Sequence, residues 1–244
     1  RDSKGFIWIS TSYGLCRYDG YEFRNFMKES DNPESLPFYC VESVQEDHEG
    51  MLWVSFGLKR YACYNPVKEV FTDAGKMLSE KYGIEREPGL IYVDGKKDLW
   101  VAAKDGTLYH VSSKDGKTVR VKNARRKGVD ITSVSSTPEG VAAIYSDGSF
   151  INISRDSNTA GKPNDYIGRI SPNTSHDYRI FCDSDGDYWI KRVGQTWLYH
   201  AQDGRWTDLS APSSILSGKN VKSFASDRHG RIWLAIENGG IDIV

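Results

Sequence analysis

The sequence predicts an all-β chain, a β-propeller of four-stranded blades with about six repeats, and three observations carry that prediction. One stretch recurs: Asp47-His48-Glu49-Gly50-Met51-Leu52-Trp53 is matched by Asp2 to Trp8, by Asp183 to Trp189 and by Asp227 to Trp233. A looser copy, Asp94 to Trp100, keeps the Asp and Trp but moves the Gly. The tryptophans of these copies, Trp8, Trp53, Trp100, Trp189 and Trp233, stand 45, 47, 89 and 44 residues apart, the 89 spanning two periods with a degenerate copy near Gly140 to Ile144. A period of roughly 40–50 residues with several short strands in each unit is the signature of a propeller. Finally, each period holds short apolar or alternating runs rich in β-formers and separated by turn residues.

Taken in order, the first repeat, about 1–38, has strands at Phe6 to Ser10, Leu15 to Tyr18 and Tyr21 to Phe26, the last two joined by the hairpin signal Asp19-Gly20. The second, 39–87, shows a full complement of four: Val41–Gln45, Leu52–Phe56, Arg60–Tyr64 and Glu69–Thr72, with a short helical turn expected over Glu80 to Arg86. The third, 88–128, runs through Leu90–Val93, Leu99–Ala103, Thr107–Val111 and Thr118–Val121. The fourth, 129–175, is the weakest. Its Trp position carries Ala142 or Ala143, depending on a one-residue slip, and its pattern fades before Ile170. The fifth, 176–218, has Tyr178–Cys182, Tyr188–Arg192, Thr196–His200 and Arg205–Leu209, and the sixth, 219–244, has Val221–Ala225, Ile232–Ile236 and Gly240–Val244. The first repeat lacks an innermost strand and the last an outermost one. The two ends either complete one another or are cuts, and the chain reads as a fragment of a longer array.

Each blade is too small to bury both faces alone, so stacking of blades supplies the core. In the repeated turn the Gly is expected at positive φ, the Asp on neighbouring backbone amides, and the Trp between adjacent blades.

Composition narrows the function. The 244 residues are 39% hydrophobic and 27% charged, with a formal net charge of -1, so no global basic field draws the chain to nucleic acid. No apolar run approaches the roughly 20 residues of a membrane span, and no membrane contact is expected in this segment. The four cysteines lack paired C-x-x-C spacing, and Cys16, Cys63 and Cys182 fall in apolar strand patterns as small buried hydrophobes. The histidines, His48, His110, His176, His200 and His229, are scattered, and no catalytic or phosphate-binding motif is present. We therefore expect no enzyme, no cofactor and no metal. Asp183, Asp185 and Asp187 alternate as in a calcium loop, but Gly186 stands fourth rather than sixth and the same turn recurs without the extra acids.

Function is then expected in loops. Propeller topology puts the connections between second and third strands on the same face as the connections between blades, around a central funnel. The first set includes Ser12, Tyr13, Phe56, Lys59, Lys104, Asp105, Arg192, Gln195, Glu237 and Asn238; the second includes Phe38, Tyr39, His176, Asp177, Lys219 and Asn220. Aromatic rings beside Lys, Arg and Asn suit a sugar, whose C–H face stacks while its hydroxyls bond. Trp197 and Trp206 lie outside the repeated Trp position. The candidate ligand-binding residues are Tyr13, Tyr39, Lys59, Lys104, Arg192, Trp197 and Asn238.

The combination of Asp-x-x-Gly-x-Ile/Leu-Trp with a following Gly-Leu, seen in Asp2 to Phe26 and in Asp47 to Phe71 with Gly57-Leu58 and Tyr64-Asn65-Pro66, resembles two-component regulator propeller repeats. Such repeats form the sensor arrays of hybrid two-component systems in Bacteroidetes. The resemblance implies a non-catalytic, extracytoplasmic (periplasmic) sensor segment, with an oligosaccharide or other small ligand, a homodimeric full-length protein and histidine kinase activity elsewhere in that protein. The alternatives are a protein-interaction scaffold and a propeller lyase or hydrolase. The repeat motif is structural, so it transfers no ligand residues.

Overall fold

The computed structural model describes residues 1–172, 175, 177–211 and 214–244; His176, one of the loop residues nominated above, lies outside them. The described residues form six antiparallel sheets, each strand pairing with its sequence neighbour, and these are the blades of a β-propeller. The chain divides into two compact units, Arg1–Val121 and Lys122–Val244.

The first unit holds three sheets. Strands β1 (Ile7–Thr11), β2 (Gly14–Tyr18) and β3 (Phe23–Phe26) form a three-stranded sheet. Strands β4 (Val41–Glu46), β5 (Leu52–Phe56), β6 (Arg60–Asn65) and β7 (Val70–Asp73) form the second, followed by helix α1 (Ala74–Tyr82). The third consists of β8 (Pro88–Val93), β9 (Leu99–Ala103), β10 (Leu108–Val111) and β11 (Thr118–Arg120). In the second unit the fourth sheet has β12 (Ile131–Thr137), β13 (Gly140–Tyr145), β14 (Phe150–Ser154) and the two-residue β15 (Thr159–Ala160), and helix α2 (Tyr166–Ile170) comes after it. The fifth has β16 (Arg179–Cys182), β17 (Tyr188–Arg192), β18 (Gln195–Tyr199) and β19 (Trp206–Asp208), and the sixth has β20 (Val221–Ser226), β21 (Ile232–Ile236) and β22 (Gly240–Ile243).

The recurrent motif is a hydrogen-bonded clip. Asp47 Oδ1 accepts the amides of Glu49 (2.9 Å) and Met51 (3.0 Å), while Oδ2 accepts the indole N–H of Trp53 at 2.8 Å. The indole bond repeats in Asp2–Trp8, Asp94–Trp100, Asp183–Trp189 and Asp227–Trp233. A carboxylate suits this place because its two oxygens take backbone and side-chain donors at once. The fourth residue of the turn has positive φ: Gly50 at 77°, Gly186 at 86°, and Lys97 at 67° in the looser copy, where the shifted Gly leaves a lysine in the left-handed region.

Within each unit the clip can present its indole to the next sheet. Trp53 packs with Ile91, Val93 and Val101 of the third sheet, and Trp189 with Val221 and Ile232 of the sixth. Side chains of the first strands also reach the backbone of the next sheet. Gln45 exchanges two bonds with Val93, and Ser135 Oγ accepts the Cys182 amide at 2.9 Å. Stacking therefore supplies both apolar burial and polar satisfaction.

The innermost strands β4 and β12 carry the same bulge, at Val41/Ser43 and Ile131/Ser133, and counting from it Ser135–Ala142 replaces Gln45–Trp53. Ala142, rather than Ala143, takes the Trp position. Thr137 replaces the Asp, its Oγ1 accepting the Gly140 amide at 3.1 Å across a turn one residue shorter.

Three sequence expectations are corrected. The helical segment is α1, earlier than Glu80 to Arg86, because Asp73 caps it through the Lys76 amide and Gly83 ends it in the left-handed conformation at φ 65°. Cys16 is only half-buried, since its face of the first sheet is less covered, whereas Cys63 and Cys182 are in the core. The faded end of the fourth repeat contains β15 and α2.

Candidate ligand-binding clefts

Two of the nominated side chains meet in a cleft of the first unit. The β5–β6 turn carries Lys59 and the β9–β10 turn carries Lys104, and both line a depression of about 290 Å³ with Phe38, Arg60, Arg86 and Glu87. Consecutive sheets place these turns side by side. Leu58 and Lys59 both have positive φ, 65° and 54°, so two non-glycine residues hold a left-handed turn at the cleft edge. The Arg60 guanidinium lies 3.9 Å from the Phe38 ring centroid, and that ring meets Phe56 edge-on. Lys104 pairs with Glu87, and Arg86 stands 3.8 Å from Asp105. The cleft is thus mixed in charge, with one aromatic wall. Phe56 itself is a core residue, buried because its strand position faces the first sheet.

The other candidates are dispersed. Tyr13 (79% exposed) and Tyr39 (54% exposed) belong to the first unit but do not line that cleft. In the second unit Arg192 is committed to protein partners: it donates to Gln195 (2.7 Å), to the Tyr178 hydroxyl (3.0 Å) and to Ser171 (2.7 Å). Beside it, Asp177 accepts the Val193 amide and Asn220 the Gly194 amide, tying down the β17–β18 turn. Asn238 occupies the β21–β22 turn at φ 58°, a conformation in which Asn is at ease. Trp197 is 2% exposed, paired with Ile190 on the core-facing side of β18. It supports the sheet packing and presents no face to a ligand.

A larger cleft, about 650 Å³, opens in the second unit where the fourth sheet departs from the repeat. The Tyr166 and Trp206 rings stack at 4.8 Å and 14°, Tyr199 leans on Trp206 at 4.8 Å, and Phe150 closes the floor. Polar groups are contributed by Asn152, Lys162, Asn164 and Arg169. The Tyr188 hydroxyl donates to Asn152 Oδ1 at 2.9 Å. Elsewhere the position of Tyr188 is aliphatic, as in Leu52 and Leu99, and the partner of Asn152 in the strand register is Ala142, the missing tryptophan. The sequence marks Trp206 as surplus to the motif and the fourth repeat as degenerate. It does not join them, because Tyr166 sits on α2, in a segment without a repeat pattern.

Burial pushes the Tyr188 hydroxyl up to about 12 and the Cys182 thiol up to about 11, so both stay neutral. Among the described residues no cluster of side chains fit to hold a metal ion is found, and no helix is long and apolar enough to cross a membrane.

The fold is shared with known structures. No family model matches the sequence, and no curated protein matches it. The extracellular domain assigned to hybrid two-component system BT3049 of B. thetaiotaomicron superposes with a TM-score of 0.64 at 17% identity, covering 98% of this chain and 31% of that one. The extracellular domain assigned to BT4673 of the same organism gives 0.64 at 18% identity, covering 100% and 34%. YCF48 bound to D1 peptide gives 0.61 at 15% identity, covering 99% and 74%. At these identities the likeness is one of fold. The chain spans about a third of the length of the two extracellular domains.

Proposed function

We propose that this chain is a non-catalytic sensor segment of the extracytoplasmic part of a two-component system. Likeness over nearly the whole chain to extracellular domains of hybrid two-component systems carries this reading, and the sequence motif resembles the same repeats. The ligand is an oligosaccharide or similar small molecule, met by the cleft of Lys59 and Lys104. A ligand that binds two arrangements of the sensor unequally shifts their populations, and a kinase elsewhere in a dimeric, membrane-anchored protein reads the shift. The test is a thermal-shift screen of the chain against defined oligosaccharides, then calorimetric titration. A ligand at a hundredfold its Kd stabilises by about 2.7 kcal/mol, and the double variant Lys59→Ala/Lys104→Ala is expected to abolish the shift. Failure of every oligosaccharide to stabilise the folded chain would overturn ligand sensing in this segment.

A second reading, a peptide-binding scaffold, is favoured by the likeness to YCF48 bound to D1 peptide. It expects peptides rather than sugars to stabilise the chain in the same screen.

A further inference from the structure

The cleft of the second unit is where the repeat gives up its own packing residue. The fourth sheet sets Ala142 where its counterparts set an indole, and Asn152 opposite it. The space is bordered instead by Tyr166, Trp206 and Tyr199, with Phe150 buried beneath. Tyr166 and Trp206 are half-buried, stacked on one another and held by further rings, so their remaining surface is presented in a fixed orientation. Rigid aromatic surface lowers the entropy lost on binding a flat apolar face, which is what the C–H side of a pyranose ring offers.

The polar groups specify the ligand further. Lys162 and Arg169 set two positive charges at the cleft against the single carboxylate of Asp165, leaving one net positive charge. Arg169 is 70% exposed at its side chain and contacts Asp165 at 3.0 Å through one guanidinium nitrogen. A guanidinium has five N–H donors in a planar fork, and a carboxylate is its natural bidentate partner. Asn152 and Asn164 add amides suited to hydroxyl groups.

The backbone argues against a peptide added as a strand. Beyond β15 the chain stays bonded to β14, with Gly161 N–H to Asn152 at 2.8 Å and reciprocal bonds between Phe150 and Asn164 at 2.8 and 3.0 Å. The β14 edge beside the cleft is therefore occupied, and recognition falls to side chains. We infer that this cleft is a subsite for an acidic saccharide, its pyranose face on the Tyr166–Trp206 surface and its carboxylate on Arg169 and Lys162. The inference extends the sensory reading with a second site and a ligand class, and rests on that reading only for its biological purpose.

The test is calorimetry at low ionic strength with three probes: a galacturonic acid tetrasaccharide, the matching neutral galactose tetrasaccharide and tetraglutamate. The acidic saccharide is expected to bind at least tenfold more tightly than either of the others. Arg169→Gln, a change at an exposed side chain that leaves the melting temperature unaltered, is expected to weaken it about tenfold, and Lys162→Gln/Arg169→Gln further. Trp206→Ala is expected to abolish binding, with Trp206→Phe keeping the ring should the alanine variant fail to fold. No binding of the acidic saccharide, equal binding of tetraglutamate, or an affinity unmoved by the Lys162 and Arg169 changes would each overturn the subsite. Saccharide binding that survives Lys162→Gln/Arg169→Gln but is lost in Lys59→Ala/Lys104→Ala would overturn it too, while leaving the sensory reading intact.

Discussion

Replacing Asp47 by alanine removes one carboxylate from three donors. Two of them, the Met51 amide and the Trp53 indole N–H, are buried, and Trp53 is 3% exposed; the third, on Glu49, can turn to water. An unsatisfied buried donor costs about 1–3 kcal/mol, so the two together cost about 2–6 kcal/mol. Burial also pushes the Asp47 carboxyl above its ordinary value, against the pull of the Trp53 and Met51 bonds, so its removal relieves part of a desolvation cost. The expected loss is therefore in the lower half of that range, about 2–3 kcal/mol. Asp2→Ala is the internal control. It breaks the same three kinds of bond, to Lys4, Phe6 and Trp8, at sites that are exposed or half-buried, and about 1 kcal/mol or less is expected. Both residues lie in the same compact unit. Urea unfolding monitored by tryptophan fluorescence measures both. Equal losses, or a larger one for Asp2→Ala, would refute the argument that burial of the donors sets the worth of the clip.

The same motif position is expected to titrate in opposite senses at its two extremes. Desolvation pushes the Asp227 carboxyl up, but bonds from the Trp233 indole, the Arg231 guanidinium and two amides outweigh it and hold it at about 2. Asp227 thus contributes stability above pH 3.8 that is lost as pH falls toward 2, whereas Asp47, raised when folded, opposes folding most above its folded value and less as pH falls through it; carboxylate carbon shifts tracked by NMR report both, and parallel shifts would contradict the reading. Gly140→Ala places a Cβ 2.1 Å from the Ile153 carbonyl oxygen and 2.8 Å from the Arg155 nitrogen, both backbone, so a loss of about 3 kcal/mol is expected in thermal unfolding. An aromatic disulfide reagent at pH 8 is expected to modify exposed Cys40 first and Cys16 more slowly, leaving Cys63 and Cys182 for the unfolded chain, since burial raises both thiols and hides them; mass spectrometry after short labelling distinguishes the order.

The blades were legible because the tryptophan that marks the period is, at Trp8, Trp53 and Trp189, also a residue that packs on the next sheet, so there periodicity and packing report one fact. The indole bond to Asp was not, since a six-residue separation across a hairpin carries no periodic signal. Ala142 became distinguishable from Ala143 only through the bulge in β12, a feature of strand pairing. The start of α1 was hidden because Asp73 both ends β7 and caps the helix, leaving no loop between strand and helix to mark it. Lys59 and Lys104 were legible as members of one set of loops, and the structure brings them to one cleft because equivalent turns of consecutive sheets adjoin. Trp197 and Trp206 both looked surplus, but strand parity turns the first into the core, while the second gains its meaning from Tyr166, distant in sequence and set in a stretch with no pattern.

Tandem copies of one clip divide the labour of folding, and the fourth shows how a sheet closes when its copy is excused from that labour. Thr137 keeps the hairpin bonded without the carboxylate, and where the indole is missing the neighbouring sheet's Tyr188 bonds Asn152, the register partner of Ala142. Redundancy in the array thereby becomes freedom at one place: a position that no longer has to look like its siblings can acquire an identity of its own.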